Sequence, residues 1–165
     1  MESFKINNKI LASPGHRLLN YIIDIVMIYI IIIILVFVTV FLEELAGGAA
    51  IYEWTQNMSD LQGYVVFYVT MFTYYIVFET YSSRTIAKYI TKTLVVTEDG
   101  LPADLKTIVQ RTFCRFIPFD PLSFLGNPSR GWHDSISNTY VVKKEVFERS
   151  RDSFYSLQEI GNTQD

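Results

Sequence analysis

Only one cysteine, Cys114, stands among the 165 residues. No intrachain disulfide can form, and no Cys/His spacing resembles a metal site. Gly-rich phosphate loops, zinc-protease helices and nucleophile elbows are also missing. The expectation is therefore a chain that is not an enzyme and that carries neither cofactor nor metal. Net charge is −3, too small to argue for nucleic acid as a partner. The most telling absences are of charge along particular stretches. From Leu18 to Leu42 the only charged side chain is Asp24, and Tyr64–Phe78 has none. Between Glu43 and Asp60 there is no Lys or Arg, although the chain carries 14 of them.

What fills those stretches is apolar. Half of the chain is hydrophobic, and the apolar residues are concentrated rather than spread. A helix needs about 20 residues to cross the hydrocarbon core. Residues 18–42 clear that length, and 61–81 form a second candidate rich in tyrosine, as in helices with interfacial anchors or a buried polar seam. The first run is full of β-branched residues, but lipid demands internally satisfied backbone bonds, so helix is expected over strand. It is longer than the apolar core of a cleavable signal, and it ends in Phe41-Leu42-Glu43-Glu44.

Charge asymmetry then orients the spans. The connection 43–60 holds Glu43, Glu44, Glu53 and Asp60, and every basic residue precedes the first apolar core or follows the second. The positive-inside rule puts both termini in the cytoplasm and this acidic loop outside.

After the second span, Arg84 and Lys88 read as snorkelling cations at the membrane exit. Thr93–Thr97 and Thr139–Val142 are β-prone and are expected to pair, since either alone would leave an open edge. Between them, Leu105–Phe116 reads as a helix. Residues 105–125 as a whole are aromatic but interrupted by Pro118 and Pro121, which suggests a re-entrant or interfacial segment with its arginines at headgroups. From Glu145 onward the chain is polar and is expected to be a loose tail. His133-Asp134 reads as a turn before the last strand rather than as acid/base machinery.

These pieces predict an all-α membrane protein. Two transmembrane helices form an antiparallel hairpin, joined by the short interfacial segment and a small cytoplasmic two-stranded β element. Residues 1–143 make the membrane domain and 144–165 a polar cytoplasmic tail.

Asp24 is the candidate site. A carboxylate near the centre of a span costs roughly 2.5–3.5 kcal/mol on insertion scales, so something must offset it. On a helix, Arg17, Asn20 and Asp24 form one polar stripe about 10.5 Å long, entering from the cytoplasmic side. The second span runs back, so Glu79 lies near the same surface. One reading is that Asp24 pairs with Arg17, Asn20 or a neighbouring helix and locks packing or assembly. The other is that Asp24 and Glu79 share a proton or a monovalent cation such as Na⁺ or K⁺. Two spans do not easily enclose a pathway, so the second reading needs a homo-oligomer or a membrane-protein partner besides the lipid bilayer.

An Arg at the entrance of the first span, an Asp within it, and a second Asp before a terminal T-x-V-V strand resemble the RDD family of prokaryotic membrane proteins. The three positions fall on Arg17, Asp24 and Asp134, within HRLLNYIID and WHDSISNTYVV. SRTIAKYITKTLVVTEDG resembles the family's post-span segment, and RTFCRFIPFDPLSFL its proline-containing third hydrophobic segment. Ser83, Ala87 and Lys92 stand where that pattern often has glycine, which bears on any close backbone approach there. The resemblance covers residues 14–143. It implies a multi-pass protein of the plasma (inner) membrane, and for some members proton exchange against monovalent cations.

Overall fold

Ser13 and Pro14 start the first helix, α1 (Pro14–Leu45). In the computed structural model, which describes residues 4–126 and 128–162, the Ser13 hydroxyl accepts the His16 amide N–H. Proline in the first turn sacrifices no helical bond, because that N–H would have no partner anyway. The helix has 32 residues, about 48 Å at the α-helical rise, against about 30 Å of hydrocarbon. A short helix, α2 (Ala50–Gln56), follows. Then Ser59 opens α3 (Asp60–Ser82) with a reciprocal cap, Gln62 returning a bond to the Ser59 amide at 2.9 Å. Among the described residues, α1 and α3 are the two helices long and apolar enough to cross a membrane. Each extends slightly past the run expected from composition.

The inside and outside of these helices are inverted relative to a water-soluble fold. The buried residues of α1 are Arg17, Asn20, Asp24 and Ile28, one face at helical spacing. Those of α3 are Met71, Tyr74, Tyr75 and Glu79. The outer surface is instead Ile22, Ile33, Phe37, Phe41, Val65 and Val69, all largely exposed. Polar seams facing inward and apolar side chains facing outward suit helices surrounded by lipid. Asp24 meets Tyr74, while the Tyr29 ring lies 5.3 Å from that of Phe67.

The remainder of the chain is a cap at one end of α1 and α3. It consists of α4 (Ile86–Ile90), β1 (Thr93–Thr97), α5 (Leu105–Cys114), α6 (Asp120–Ser123), α7 (Trp132–Ile136), β2 (Thr139–Lys143) and α8 (Lys144–Asn162). The expected strand pairing is present: β1 and β2 are antiparallel, with Thr93 opposite Lys143 and Thr97 opposite Thr139. The outer edge of β2 is covered by residues 10–12, through Ala12 N–H to Val141 O at 2.9 Å and Lys143 N–H to Ile10 O at 3.0 Å. One face of the sheet packs Leu94, Val96 and Val142 with Phe4 and Ile10.

Two expectations need revision. The segment from Glu145 is not loose: it lies in the 19-residue α8, held by the buried Phe147 in the sheet's core cluster, with Phe154 packed beside it. Phe147 and Phe154 are two helical turns apart and so share a face, a spacing easily overlooked in so polar a stretch. The other concerns residues 105–125. They break into α5, a turn and α6, leaving Phe113, Phe116 and Phe119 exposed as an interfacial segment would. Their arginines, however, point inward.

Candidate functional site: a buried charge network

Four of the cap elements, α4, β1, α5 and α7, with the residues at their ends, deliver polar groups to the inner faces of α1 and α3. Asp134, from α7, is fully buried. Its Oδ2 accepts from Arg17 Nη1 at 2.5 Å and from the Gly131 amide at 3.1 Å, and its Oδ1 from Arg111 Nη1 at 2.5 Å. Arg111, on α5, also donates to the Thr139 hydroxyl and, through Nε, to Glu79 Oε2 at 3.3 Å. Glu79 Oε1 in turn accepts from Lys88 Nζ at 2.8 Å and Arg115 Nη2 at 3.3 Å. Asp24 sits beside this chain of ion pairs. It accepts from the Tyr74 hydroxyl at 2.7 Å, the Thr85 hydroxyl at 2.8 Å and the Ala87 amide at 3.4 Å. Lys88 Nζ lies 3.5 Å from the Thr85 hydroxyl, so Thr85 and Lys88 connect the Asp24 and Glu79 branches.

The sequence-derived candidates are thus distributed unequally. Arg17 and Asp134, 117 positions apart, are brought into direct contact. Asn20 does not join them. It donates to Thr93 at 3.1 Å and accepts from Thr91 at 2.6 Å, tying α1 to the start of β1. Asp24 makes no hydrogen bond to Arg17, Asn20 or Glu79 among the described residues. Its partners are hydroxyls and an amide. Arg111, Arg115 and Lys88 were expected at headgroups or snorkelling, and they are the cations that Glu79 holds. Their signal was Arg111 and Arg115 one turn apart on an amphipathic helix, where the inward face was the charged one.

Counting charges explains why so many can be buried. Arg17, Lys88, Arg111 and Arg115 face Asp24, Glu79, Asp120 and Asp134. A buried charge is tolerated when paired and hydrogen-bonded, and here cations and carboxylates balance. Burial opposes ionisation of Asp134, but Arg17 and Arg111 outweigh it and hold the carboxyl well below the usual carboxylate range. His133 belongs to the neutral part. Burial pushes its imidazole down to about 4, against the pull of Asp134. Its Nδ1 lies 2.7 Å from Asp120 Oδ2, so the neutral ring donates there. Gly131 leaves room for that ring, since a Cβ at this position would stand 2.7 Å from it.

The backbone around Asp24 also accounts for the positions where the sequence departs from glycine. Ser83 and Lys92 both have left-handed backbones, φ 56° and 53°, where glycine carries no Cβ penalty. Ala87 is fully buried with its amide directed at Asp24. Its methyl group is small enough to permit the approach. No group of three or more His, Cys, Asp or Glu side chains among the described residues is placed to hold a metal ion.

Residues 11–142 match the family model described as the RDD family. The chain belongs to the RDD family. No curated protein and no solved structure matches it. The three residues that mark the RDD resemblance therefore divide into two contacts. Arg17 and Asp134 form one ion pair, and Asp24 anchors a hydroxyl cluster beside it.

Proposed function

We propose that this RDD-family protein is a packing and assembly module of the plasma (inner) membrane, not a carrier or an enzyme. In this reading α1 and α3 cross the bilayer as an antiparallel hairpin, with both termini and the cap in the cytoplasm. The opposed order of the Asp24–Tyr74 and Tyr29–Phe67 contacts favours the hairpin, and the basic residues favour the cytoplasmic cap. The observation that carries the functional reading is the state of Asp24. Its two oxygens take three donors, from α3, from α4 and from Thr85, which caps α4, so its stabilising partners come from within the protein. Apolar outer faces on both spans then offer surface for a second copy or a membrane partner.

Exchange of protons for monovalent cations through Asp24 and Glu79 draws less support. Glu79 is surrounded by Lys88, Arg111 and Arg115, which would repel an entering cation. The test uses purified protein in liposomes carrying a pH gradient. Addition of Na⁺ or K⁺ is expected to leave the gradient unchanged, while Asp24→Ala loses the oligomer or co-purifying partner. A cation-dependent collapse that Asp24→Asn abolishes would overturn this assignment.

A further inference from the structure

Between α1, α3 and the turn 116–121 lies a cavity of about 320 Å³, at the lower end of the range of ligand pockets. Its chemistry changes along its length. On α1 the lining runs from Arg17 through Asp24 to Ile25 and Ile28, about 16 Å along the helix. On α3 it runs the same way in space, from Tyr75 to Met71 and Phe67. One end is polar and charged, and the other is aliphatic and aromatic. The exposed Phe116 and Phe119, at the cavity's edge, belong to the segment with interfacial character.

The polar end has more donors than acceptors. Arg17 and Arg115 both line it, and Arg17 Nε and Nη2 and Arg115 Nε are buried with no hydrogen-bond partner among the described residues. The Arg17 side chain is only 3% exposed. The carboxylates on the same wall already have donors, Asp24 from Tyr74, Thr85 and Ala87, and Asp120 from His133. A buried donor without an acceptor is costly, so a ligand rich in acceptor oxygens fits. The surrounding charge is already balanced, which favours a head with a single negative charge over a dianion.

We propose that this cavity binds one membrane phospholipid, with its phosphodiester at Arg17 and Arg115 and the start of an acyl chain along Ile25, Ile28 and Phe67. The rest of the lipid extends into the bilayer past Phe116 and Phe119. This goes beyond the assembly role and holds whether or not the protein oligomerises.

The test is titration of the full chain, delipidated in dodecyl maltoside, with dioleoylphosphatidylglycerol, read by native mass spectrometry. One lipid per chain should bind, at least 100-fold more tightly than inorganic phosphate and at least tenfold more tightly than oleate. Ile25→Trp, which fills the apolar end, and Arg115→Gln should each weaken binding at least tenfold. Val38→Trp, on the outer face of α1, should leave it unchanged. Should Arg115→Gln fail to fold, Ile25→Trp decides alone. Unaltered binding in folded Ile25→Trp overturns the proposal. So does inorganic phosphate binding as well as the lipid, which would mean an anion site without a chain, or oleate doing so, which would mean that the phosphodiester is not recognised.

Discussion

Neutralising Asp134 should cost far more than losing one ion pair, and the excess can be worked out from its neighbours. Asp134→Asn keeps the shape but turns one oxygen into a donor. Both oxygens now accept guanidinium N–H groups at 2.5 Å, so one arginine would face an amide N–H instead. Arg111 retains the Glu79 carboxylate, but Arg17 is left with no carboxylate, only a neutral amide oxygen and the Phe124 ring, 5.9 Å from its guanidinium carbon. A buried charge stripped of its partner costs about 3–5 kcal/mol, a large part of a typical total of about 5–15 kcal/mol. Arg17→Met alone should cost a similar amount, because Asp134 keeps Arg111 but loses its other cation. Together the two should cost about 3–5 kcal/mol again rather than twice that, since the double variant leaves no unpaired Arg17. The assay is equilibrium unfolding in mixed dodecyl maltoside and SDS micelles, followed by far-UV circular dichroism for all four proteins of the cycle. The solvent-exposed Lys92–Glu145 pair is the control, and screening should leave it with no measurable coupling. If the Arg17 and Asp134 effects add to within about 0.5 kcal/mol, the network is not coupled as argued.

Other consequences are simpler. His133 stays neutral when folded, with a pKa of about 4 against an ordinary 6.5. The unfolded chain therefore binds a proton that the folded one refuses. Stability should be full above pH 6.5 and fall by about 2 kcal/mol by pH 5; a denaturation midpoint that is flat across that range in wild type would contradict this. Gly131→Ala places a methyl group 2.7 Å from the His133 ring and should lower the melting temperature, whereas Gly63→Ala, with open space around it, should not. Ser83→Gly relieves a left-handed φ of 56° and should stabilise by up to about 1 kcal/mol in thermal melts. Phe147→Ala empties a buried site in the sheet's core cluster and should cost about 3–5 kcal/mol, with loss of α8 seen as faster amide exchange.

The two long apolar helices and the strand pairing were legible because each rests on a local property. Length and apolarity marked α1 and α3, and β-prone runs marked the sheet. The identity of Asp24's partners was not legible, because they come from outside its own helix. Tyr74 reads as one more interfacial tyrosine and Thr85 as one residue of an exit loop, until α4 folds back against α1. The same holds for Lys88 and Arg111. Beside a membrane-length apolar run a cation is expected to reach for the headgroups, and only the folding of α4 and α5 against α1 and α3 turns these inward onto Glu79. The helix at the C-terminus went unseen for a related reason. Its polar composition hid two phenylalanines that need the sheet before their shared face has anything to bury against.

That placement determines how a result at Asp24 should be interpreted. Loss of activity in Asp24→Ala would say nothing of transport, because the Tyr74 and Thr85 hydroxyls and the Ala87 amide would all lose their acceptor. Asp24→Asn is more discriminating. Its remaining oxygen can occupy the Oδ1 position and still accept from Tyr74 and Ala87, while its amide can donate to Thr85, whose hydroxyl is able to accept. The substitution removes the charge and keeps most of the bonds. If Asp24 is a fastening point, Asn should preserve the fold and the oligomer where Ala does not. If Asp24 must gain and lose a proton, Asn should fold equally well and yet abolish function. The two roles therefore predict different outcomes for Asn once it is shown to be assembled: function equal to wild type if Asp24 fastens the fold, and function lost if it carries a proton.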